Sequence, residues 1–200
     1  TRTLNGVLPA DTNNVSLTGG TASFANATAG PGKTVTLAGA TLTGTAAANY
    51  NLTAVGTTTA AITALGITGS FTTQDKVYDG NTNATVLTRT LNGVLPADTN
   101  NVSLTGGTAS FANATAGPGK TVTLAGATLT GTAAANYNLT AVGTTTAAIT
   151  ALGITGSFTT QDKVYDGNTN ATVLTRTLNG VLPADTNNVS LTGGTASFAN

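Results

Sequence analysis

The chain repeats itself exactly every 87 residues. Thr1-Arg2-Thr3-Leu4 returns at Thr88 and again at Thr175, and residues 1–113 are identical to residues 88–200. A repeat of this length is well beyond the roughly 20–50 residues of solenoid repeats and close to the size of a small domain. The period therefore favours tandem small domains, and one continuous β-solenoid is the rival interpretation.

The copies follow one another without a polar linker. Residues 60–69 form a mainly apolar, strand-like run that Gly66 interrupts, and we place the copy boundaries there and at Gly153. The first copy is residues 1–65 and lacks the N-terminal part of a unit. The middle copy, residues 66–152, is complete, and the third copy, residues 153–200, is the N-terminal half of a unit. Because both outer copies are partial, we expect the chain to be a segment of a longer array.

The pattern inside a copy is typical of β-strands. Thr and Val are abundant, apolar residues alternate with polar ones, and no stretch shows helical spacing. Turn residues separate the runs: Asp79-Gly80, Asn92-Gly93, Pro96-Ala97-Asp98, Gly106-Gly107, Gly117-Pro118-Gly119 and Gly126. About six or seven short strands per copy predict an all-β fold of tandem small antiparallel β-sandwiches, of the Ig-like type, in an elongated array.

Few large side chains are available to build a core. A domain of this size buries only about 60–65% of its unfolded surface, so most of its large apolar residues are needed inside. The predicted core of the middle copy consists of Phe71, Val77, Tyr78, Val86, Leu87, Leu91, Val94, Leu95, Val102, Leu104, Phe111, Val122, Leu124, Leu129, Tyr137, Leu139, Val142 and Ile149.

The composition argues against several classes of function. The chain has no His and no Cys, so it lacks the usual ligands of zinc, haem and iron–sulfur centres and the usual bases and nucleophiles of hydrolases. Seven basic residues balance seven acidic ones, which leaves no net field to attract nucleic acid or anionic lipid. No apolar run approaches the roughly 20 residues of a membrane span. We therefore expect no enzyme activity, no cofactor, no nucleic-acid partner and no insertion of this segment into a membrane.

Three motifs in fixed order carry a family resemblance. Lys76-Val77-Tyr78-Asp79-Gly80-Asn81-Thr82 is followed by Gly119-Lys120-Thr121-Val122 and then by Ala135-Asn136-Tyr137-Asn138-Leu139. Together they resemble the YDG-type repeat of large, filamentous-haemagglutinin-like bacterial surface adhesins. The residues that carry the resemblance are Lys76, Tyr78, Asp79, Gly80, Lys120, Asn136 and Tyr137. The resemblance implies secreted, β-rich tandem modules that build stalks or fibres at the cell surface, and it implies no catalytic residue and no defined ligand.

Two further interpretations concern the charged turn of the first motif. Asp79, Asn81 and Asn83 have the spacing of the first oxygen ligands of a Ca²⁺ loop, but Gly80 is at position 2 and Thr90 replaces the bidentate Glu. The same residues are typical of a turn held by side-chain-to-backbone hydrogen bonds, which is the favoured interpretation. Lys76 and Lys120 near Asn residues also allow a Lys–Asn isopeptide cross-link, against the simpler alternative of ion-paired or solvent-reaching lysines.

These observations predict a structural role outside the cell. We expect a rigid stalk or fibre of an extracellular bacterial surface adhesin, which projects a distal binding region and supports cell adhesion and aggregation, including biofilm. The expected partners are neighbouring repeats, like chains, and a host or neighbouring cell surface. The alternative function is the body of a self-assembling extracellular filament, held by strand complementation between repeats. A carbohydrate-binding module is disfavoured because aromatic residues make up only 4% of the chain.

Overall fold

The chain is built from β-strands and short 3-10 turns. The structure, a computed structural model, describes residues 2–199. The first strands are β1 (Ser16–Phe24), β2 (Gly30–Thr43) and β3 (Thr58–Ile62). The middle strands are β4 (Leu65–Thr73), β5 (Lys76–Val77), β6 (Asn83–Ala84), β7 (Val86–Asn92), β8 (Ser103–Phe111), β9 (Gly117–Thr130), β10 (Tyr137–Val142) and β11 (Thr145–Thr150). The third copy contributes β12 (Thr155–Thr160), β13 (Asn170–Ala171), β14 (Val173–Asn179) and β15 (Ala196–Ser197).

Helical structure is limited to single turns. The 3-10 turns span Pro9–Asp11, Ala47–Asn49, Pro96–Asp98, Ala134–Asn136 and Pro183–Asp185. The prediction of an all-β protein is confirmed. Within residues 2–199, no helix has the length and apolar character needed to span a membrane.

The backbone divides into two compact units that do not coincide with the sequence copies. Unit 1 runs to Thr68 and adds Asn92–Ser103 and Leu129–Ala141. Unit 2 consists of Gly69–Leu91, Leu104–Thr128 and the residues from Val142 onward. The copy boundaries at 66 and 153 describe the period of the sequence and remain a prediction as domain limits.

The strands form several small sheets. β1, β2 and β3 make an antiparallel sheet in unit 1. Unit 2 holds a five-stranded sheet in the order β5-β11-β9-β8-β6, in which β5 pairs with β11 in parallel and β11 pairs with β9 in antiparallel fashion. The remaining sheets have the orders β10-β4-β7, β12-β14 and β13-β15. β5 carries the start of the first family motif, and its position beside β11 therefore fixes where that motif lies.

Three of the predicted turns are wrong. Gly106-Gly107 lies inside β8, and Gly117-Pro118-Gly119 and Gly126 lie inside β9. Gly106, Gly107 and Gly126 have φ values of +65°, +80° and +73°. A left-handed glycine inside a strand produces a local bulge rather than a chain reversal. The irregularity at Gly106 exposes a carbonyl oxygen that accepts a hydrogen bond from Arg89 Nη2 at 2.9 Å.

The main hydrophobic core lies in unit 2. Its buried members are Phe71, Ala109, Phe111, Val122, Leu124, Ala147 and Ile149. They come from β4, β8, β9 and β11, where period-two alternation directs these side chains to one face. Three large residues predicted for the core, Val77, Leu87 and Leu95, are instead exposed. They were predicted from their size and apolar character, which do not say whether another element covers them. Leu95 lies outside the strands, directly before the 3-10 turn Pro96–Asp98.

Identical residues have very different environments in the three copies. Phe111 is 3% exposed in the middle copy, whereas its counterparts Phe24 and Phe198 are 42% and 44% exposed. The sequence around the three residues is the same, so the difference comes from the strands that surround each of them. Of the three copies, the middle one is the copy that buries this phenylalanine.

Candidate repeat-contact site

Tyr78 of the first family motif contacts the following copy. It comes directly after β5, and its backbone N–H donates to the Thr150 carbonyl at 2.8 Å, which extends the pairing of β5 with β11. The Tyr78 hydroxyl donates to Oδ2 of Asp185 at 2.8 Å. Asp185 belongs to the 3-10 turn Pro183–Asp185 of the third copy, and both residues lie in unit 2. The tyrosine of the motif therefore joins two successive copies.

The contact between Tyr78 and Asp185 is a hydrogen bond to a carboxylate. The bond to Asp185, with a further contribution from burial, raises the pKa of the Tyr78 hydroxyl above its ordinary value. A raised tyrosine pKa means that the neutral, donating form is favoured in the folded chain. The hydroxyl therefore remains a donor throughout the neutral pH range.

Asp75 helps to hold β5 in place beside β11. The register of β11 against β9 shifts between Ala147 and Ile149, which leaves the Ala148 N–H outside the regular ladder. Asp75 Oδ1 accepts a hydrogen bond from that N–H at 2.6 Å. The carboxylate thus satisfies a donor that the irregularity frees, one residue before β5 begins.

Asn136 of the last family motif forms a second contact between copies. Its Oδ1 accepts a hydrogen bond from the Ala29 N–H of the first copy at 2.9 Å, and both residues lie in unit 1. Tyr78 and Asp185 are 107 residues apart, and so are Ala29 and Asn136. Because 107 exceeds the 87-residue period, each of these bonds connects one copy with the next.

Tyr137, beside Asn136, acts within a single copy. Its hydroxyl donates to Asp98 Oδ2 at 2.8 Å and accepts from the Leu95 N–H at 3.2 Å. Burial, followed by the hydrogen bond to Asp98, raises the pKa of the Tyr137 hydroxyl. The first copy repeats the arrangement, with Tyr50 donating to Asp11 at 2.8 Å.

One aspartate position serves both kinds of tyrosine. Asp98 and Asp185 occupy the same place in successive copies, and each accepts on Oδ2, the first from Tyr137 and the second from Tyr78. A carboxylate has about four acceptor sites on its two oxygens and can take both bonds at once. A complete copy that follows another complete copy would therefore bring two tyrosine hydroxyls to one carboxylate.

The Lys76 ammonium lies at the centre of the turn that follows β5. Lys76 Nζ donates to Asp79 Oδ1 at 2.7 Å, to the Asn81 carbonyl at 2.8 Å and to Asn81 Oδ1 at 3.0 Å. Asp79 Oδ1 also accepts from the Asn81 N–H, and Asn81 Oδ1 accepts from the Asn83 N–H. Gly80 has a φ of +78°, which allows the tight reversal between them. The hydrogen bond from Lys76, then that from the Asn81 N–H, lowers the pKa of the Asp79 carboxyl.

The turn is held by side-chain-to-backbone hydrogen bonds, which was the favoured interpretation of these residues. The oxygens of Asp79 and Asn81, offered as Ca²⁺ ligands by their spacing, converge on the lysine ammonium. Within residues 2–199, no group of three acidic side chains is placed to hold a metal ion. Whether Asp79, Asn81 and Asn83 bind Ca²⁺ is open to a direct test.

We expect Ca²⁺ to leave the thermal stability of the chain unchanged. A Ca²⁺ ion would have to displace the Lys76 ammonium from Asp79 and Asn81, and this arrangement offers it fewer than the roughly six to eight oxygens that it prefers. The measurement is the melting temperature in a chelator and in millimolar Ca²⁺. Equal melting temperatures support the lysine-centred turn. A melting temperature that is higher in Ca²⁺ than in the chelator, with the difference abolished by Asp79→Asn, would contradict it.

Lys120 lies away from this turn and holds a loop of its own. Its Nζ donates to Asn113 Oδ1 at 2.6 Å and to Thr115 Oγ1 at 2.9 Å. Lys33 makes the same two bonds to Asn26 and Thr28 in the first copy. The two lysines considered for an isopeptide cross-link, Lys76 and Lys120, thus hydrogen-bond asparagine side chains. Lys76 is in addition ion-paired with Asp79.

The order of the motifs agrees with a family match. A family model for the YDG domain matches residues 1–60 and 63–148. The chain belongs to the YDG domain family. Neither the curated proteins nor the solved structures contain a match to it.

The YDG motif residues fall into three groups in the structure. Tyr78 and Asn136 contact a neighbouring copy, Tyr137 acts within its copy, and Lys76, Asp79, Gly80 and Lys120 hold loops. Sequence reasoning missed the acceptor Asp185 and the donor Ala29. The aspartate had a usable signal, because an acidic residue that returns at every copy is conspicuous in a chain with only 7% charged residues. A backbone donor such as the Ala29 N–H has no sequence signal.

Proposed function

We propose that the YDG repeats form the structural stalk or fibre of an extracellular bacterial surface adhesin. In this proposal each copy is a small antiparallel β-sandwich of the Ig-like type, and the copies continue as an elongated array. The array holds a distal binding region away from the cell and supports adhesion, aggregation and biofilm formation. It performs no catalysis, and its partners are neighbouring repeats, like chains and the surface of a host or neighbouring cell.

The observation that carries the proposal is the pair of hydrogen bonds between successive copies. Tyr78 reaches Asp185 in the next copy, and Asn136 accepts from Ala29 in the previous one. Side chains of the family motif that bind a neighbouring copy support a role in which copies must keep a fixed relation. The lack of a polar linker between copies supports the same role, because flexible linkers let neighbouring domains move independently.

The maximum dimension of the array is expected to grow in proportion to the number of copies. Chains with increasing copy number are compared by small-angle X-ray scattering and by electron microscopy. If the copies were joined flexibly, the dimension would instead grow with about the square root of copy number. A maximum dimension that grows only with the square root of copy number would contradict a rigid stalk.

Two variants of the array serve as a matched pair. Tyr→Phe at every position equivalent to Tyr78 removes the bond to the next copy and is expected to weaken the proportional growth. Tyr→Phe at every position equivalent to Tyr137 removes a hydroxyl that acts inside a copy and is expected to preserve it. In cells of the source organism, an antibody against the repeat is expected to label intact cells. Labelling that appears only after permeabilisation would overturn the extracellular location.

A further inference from the structure

Two residue pairs of the middle copy place a glycine directly after an Asn or an Asp. They are Asn92-Gly93 and Asp79-Gly80. The backbone nitrogen of such a glycine has no Cβ beside it, so it can approach the side-chain carbonyl carbon of the preceding residue and close a five-membered succinimide ring. Ring closure within one chain is favoured because the two reacting groups are already held together.

Asp79 is protected from this reaction by the turn that contains it. Its Oδ1 accepts hydrogen bonds from Lys76 Nζ at 2.7 Å and from the Asn81 N–H at 3.1 Å. The bond from Lys76 lowers the pKa of the Asp79 carboxyl, so the group is ionised at neutral pH. An ionised carboxylate resists attack by a nucleophile, because it offers no neutral leaving group.

The Asn92-Gly93 pair has no such protection. Asn92 is the last residue of β7 and is exposed, and its carboxamide makes no hydrogen bond within residues 2–199. The Gly93 N–H lies just beyond the strand and bonds to no other backbone group of this part of the chain. Gly93 has a φ of +93°, so the turn itself requires the residue that leaves the nitrogen unshielded.

The first and third copies repeat this arrangement. Asn5 and Asn179 are exposed, and neither side chain has a hydrogen-bond partner among the described residues. The glycines that follow them, Gly6 and Gly180, have φ values of +83° and +91°. The unprotected Asn-Gly pair is therefore a property of the repeat.

We propose that Asn92 and its counterparts Asn5 and Asn179 convert spontaneously to aspartate and isoaspartate in the folded chain. The Gly93 nitrogen loses its proton and bonds to Asn92 Cγ, the Cγ–Nδ2 bond breaks, and Nδ2 leaves as ammonia. Water then opens the succinimide, at Cγ to give aspartate or at the backbone carbonyl to give isoaspartate. One water is consumed and one ammonia is released, so no oxidant or enzyme is needed. The reaction depends only on this residue pair and does not rely on the proposed stalk function.

The conversion changes the charge of every copy in the same way. In the middle copy three basic residues, Lys76, Arg89 and Lys120, balance three acidic ones, Asp75, Asp79 and Asp98. Each conversion replaces a neutral carboxamide by a carboxylate and gives the copy a net negative charge at neutral pH. A neutral array thus becomes acidic with age, which adds electrostatic repulsion between its copies and between chains.

Peptide mapping tests the proposal with internal controls. Trypsin releases residues 90–120 as one peptide, which contains Asn92 and three control asparagines, Asn100, Asn101 and Asn113. Each control precedes a residue that has a side chain. The folded chain is incubated at mildly alkaline pH, which helps the attacking nitrogen to lose its proton, and is then digested. We expect conversion at Asn92 to be at least about tenfold faster than at any control.

Isoelectric focusing of the intact chain gives a second readout. Incubation is expected to lower the isoelectric point in discrete steps, one for each converted copy. The matched variant carries Asn5→Gln, Asn92→Gln and Asn179→Gln, because a glutamine would have to close a six-membered ring. We expect the isoelectric point of this variant to stay constant while circular dichroism shows that both chains remain folded.

Two results would overturn the proposal. The first is conversion at Asn92 that is no faster than at the control asparagines of the same peptide. The second is a loss of positive charge or gain of negative charge that the three Asn→Gln changes leave unaltered. Isoaspartate at position 79 of the folded chain would contradict the protection that Lys76 gives to Asp79.

Discussion

Replacing Phe111 with alanine is expected to lower the free energy of unfolding by about 3–5 kcal/mol, whereas the same change at Phe198 lowers it by less than about 1 kcal/mol. Phe111 is 3% exposed and belongs to the core of unit 2, where its removal leaves a cavity. Phe198 is 44% exposed, so removing its ring is expected to have little effect on the free energy of unfolding. The two residues have the same local sequence, so the comparison isolates burial.

One further interaction, with a lysine ammonium, is matched between the two rings. Lys76 Nζ lies 5.6 Å from the centre of the Phe111 ring, and Lys163 Nζ lies 5.9 Å from the centre of the Phe198 ring. A cation–π contribution therefore cancels in the comparison. Phe24, which is 42% exposed, provides a further exposed position, although the lysine contact is matched only between Phe111 and Phe198.

The measurement combines urea denaturation, followed by circular dichroism, with hydrogen exchange of the β8 and β9 amides. Loss of protection in these strands is expected for Phe111→Ala and not for Phe24→Ala or Phe198→Ala. Equal destabilisation at the three positions would show that the outer copies bury their phenylalanines as the middle copy does.

Gly131→Ala is expected to destabilise unit 1 by more than about 3 kcal/mol, because backbone atoms occupy the space that a side chain needs. A Cβ at this position would lie 2.2 Å from the Asn101 carbonyl oxygen, and Gly131 has a φ of +114°, which L side chains rarely adopt. The Asn101 oxygen cannot easily retreat, since it accepts a hydrogen bond from the Ala133 N–H at 2.9 Å.

Gly126→Ala is the matched control for this change. Gly126 also has a positive φ, +73°, but nothing lies within 4 Å of an added Cβ. Its cost is the backbone strain alone, about 1–2 kcal/mol. Gly44→Ala repeats the main experiment in the first copy, where the Cβ would lie 2.2 Å from the Asn14 carbonyl oxygen. Denaturation midpoints that are the same for Gly131→Ala and Gly126→Ala would mean that the clash is relieved by a backbone shift.

The class of fold could be read from the sequence, but the path of the strands only in part. Alternation correctly placed Val122 and Leu124 in the core, because both lie on the covered face of β9. Leu87 was placed there only because few large apolar residues are available for a core, and this was wrong, since Leu87 is exposed. Gly126 was misjudged for a related reason: a glycine with positive φ permits a reversal or a bulge, and the neighbouring strands decide between them.

The sequence identified one residue of each contact between copies but not its partner. The resemblance to YDG repeats singled out Tyr78 and Asn136, which do contact a neighbouring copy. Their partners Asp185 and Ala29 are 107 residues away along the chain, and no local pattern relates positions at that distance. Their pairing depends on how one copy packs against the next. The sequence of a single copy contains no information about that packing.

The spacing of these bonds bears on how such a chain changes in length. The side-chain partners of Tyr78 and Asn136, Asp185 and the Ala29 N–H, lie at fixed positions of adjacent, identical copies. Inserting or deleting 87 residues at any point therefore leaves each tyrosine opposite an aspartate and each asparagine opposite a backbone N–H. Recombination between the identical repeats within the gene would lengthen or shorten the protein by whole repeats. It would not create a mismatched junction between copies. The number of repeats can vary among descendants while the sequence of each repeat stays the same.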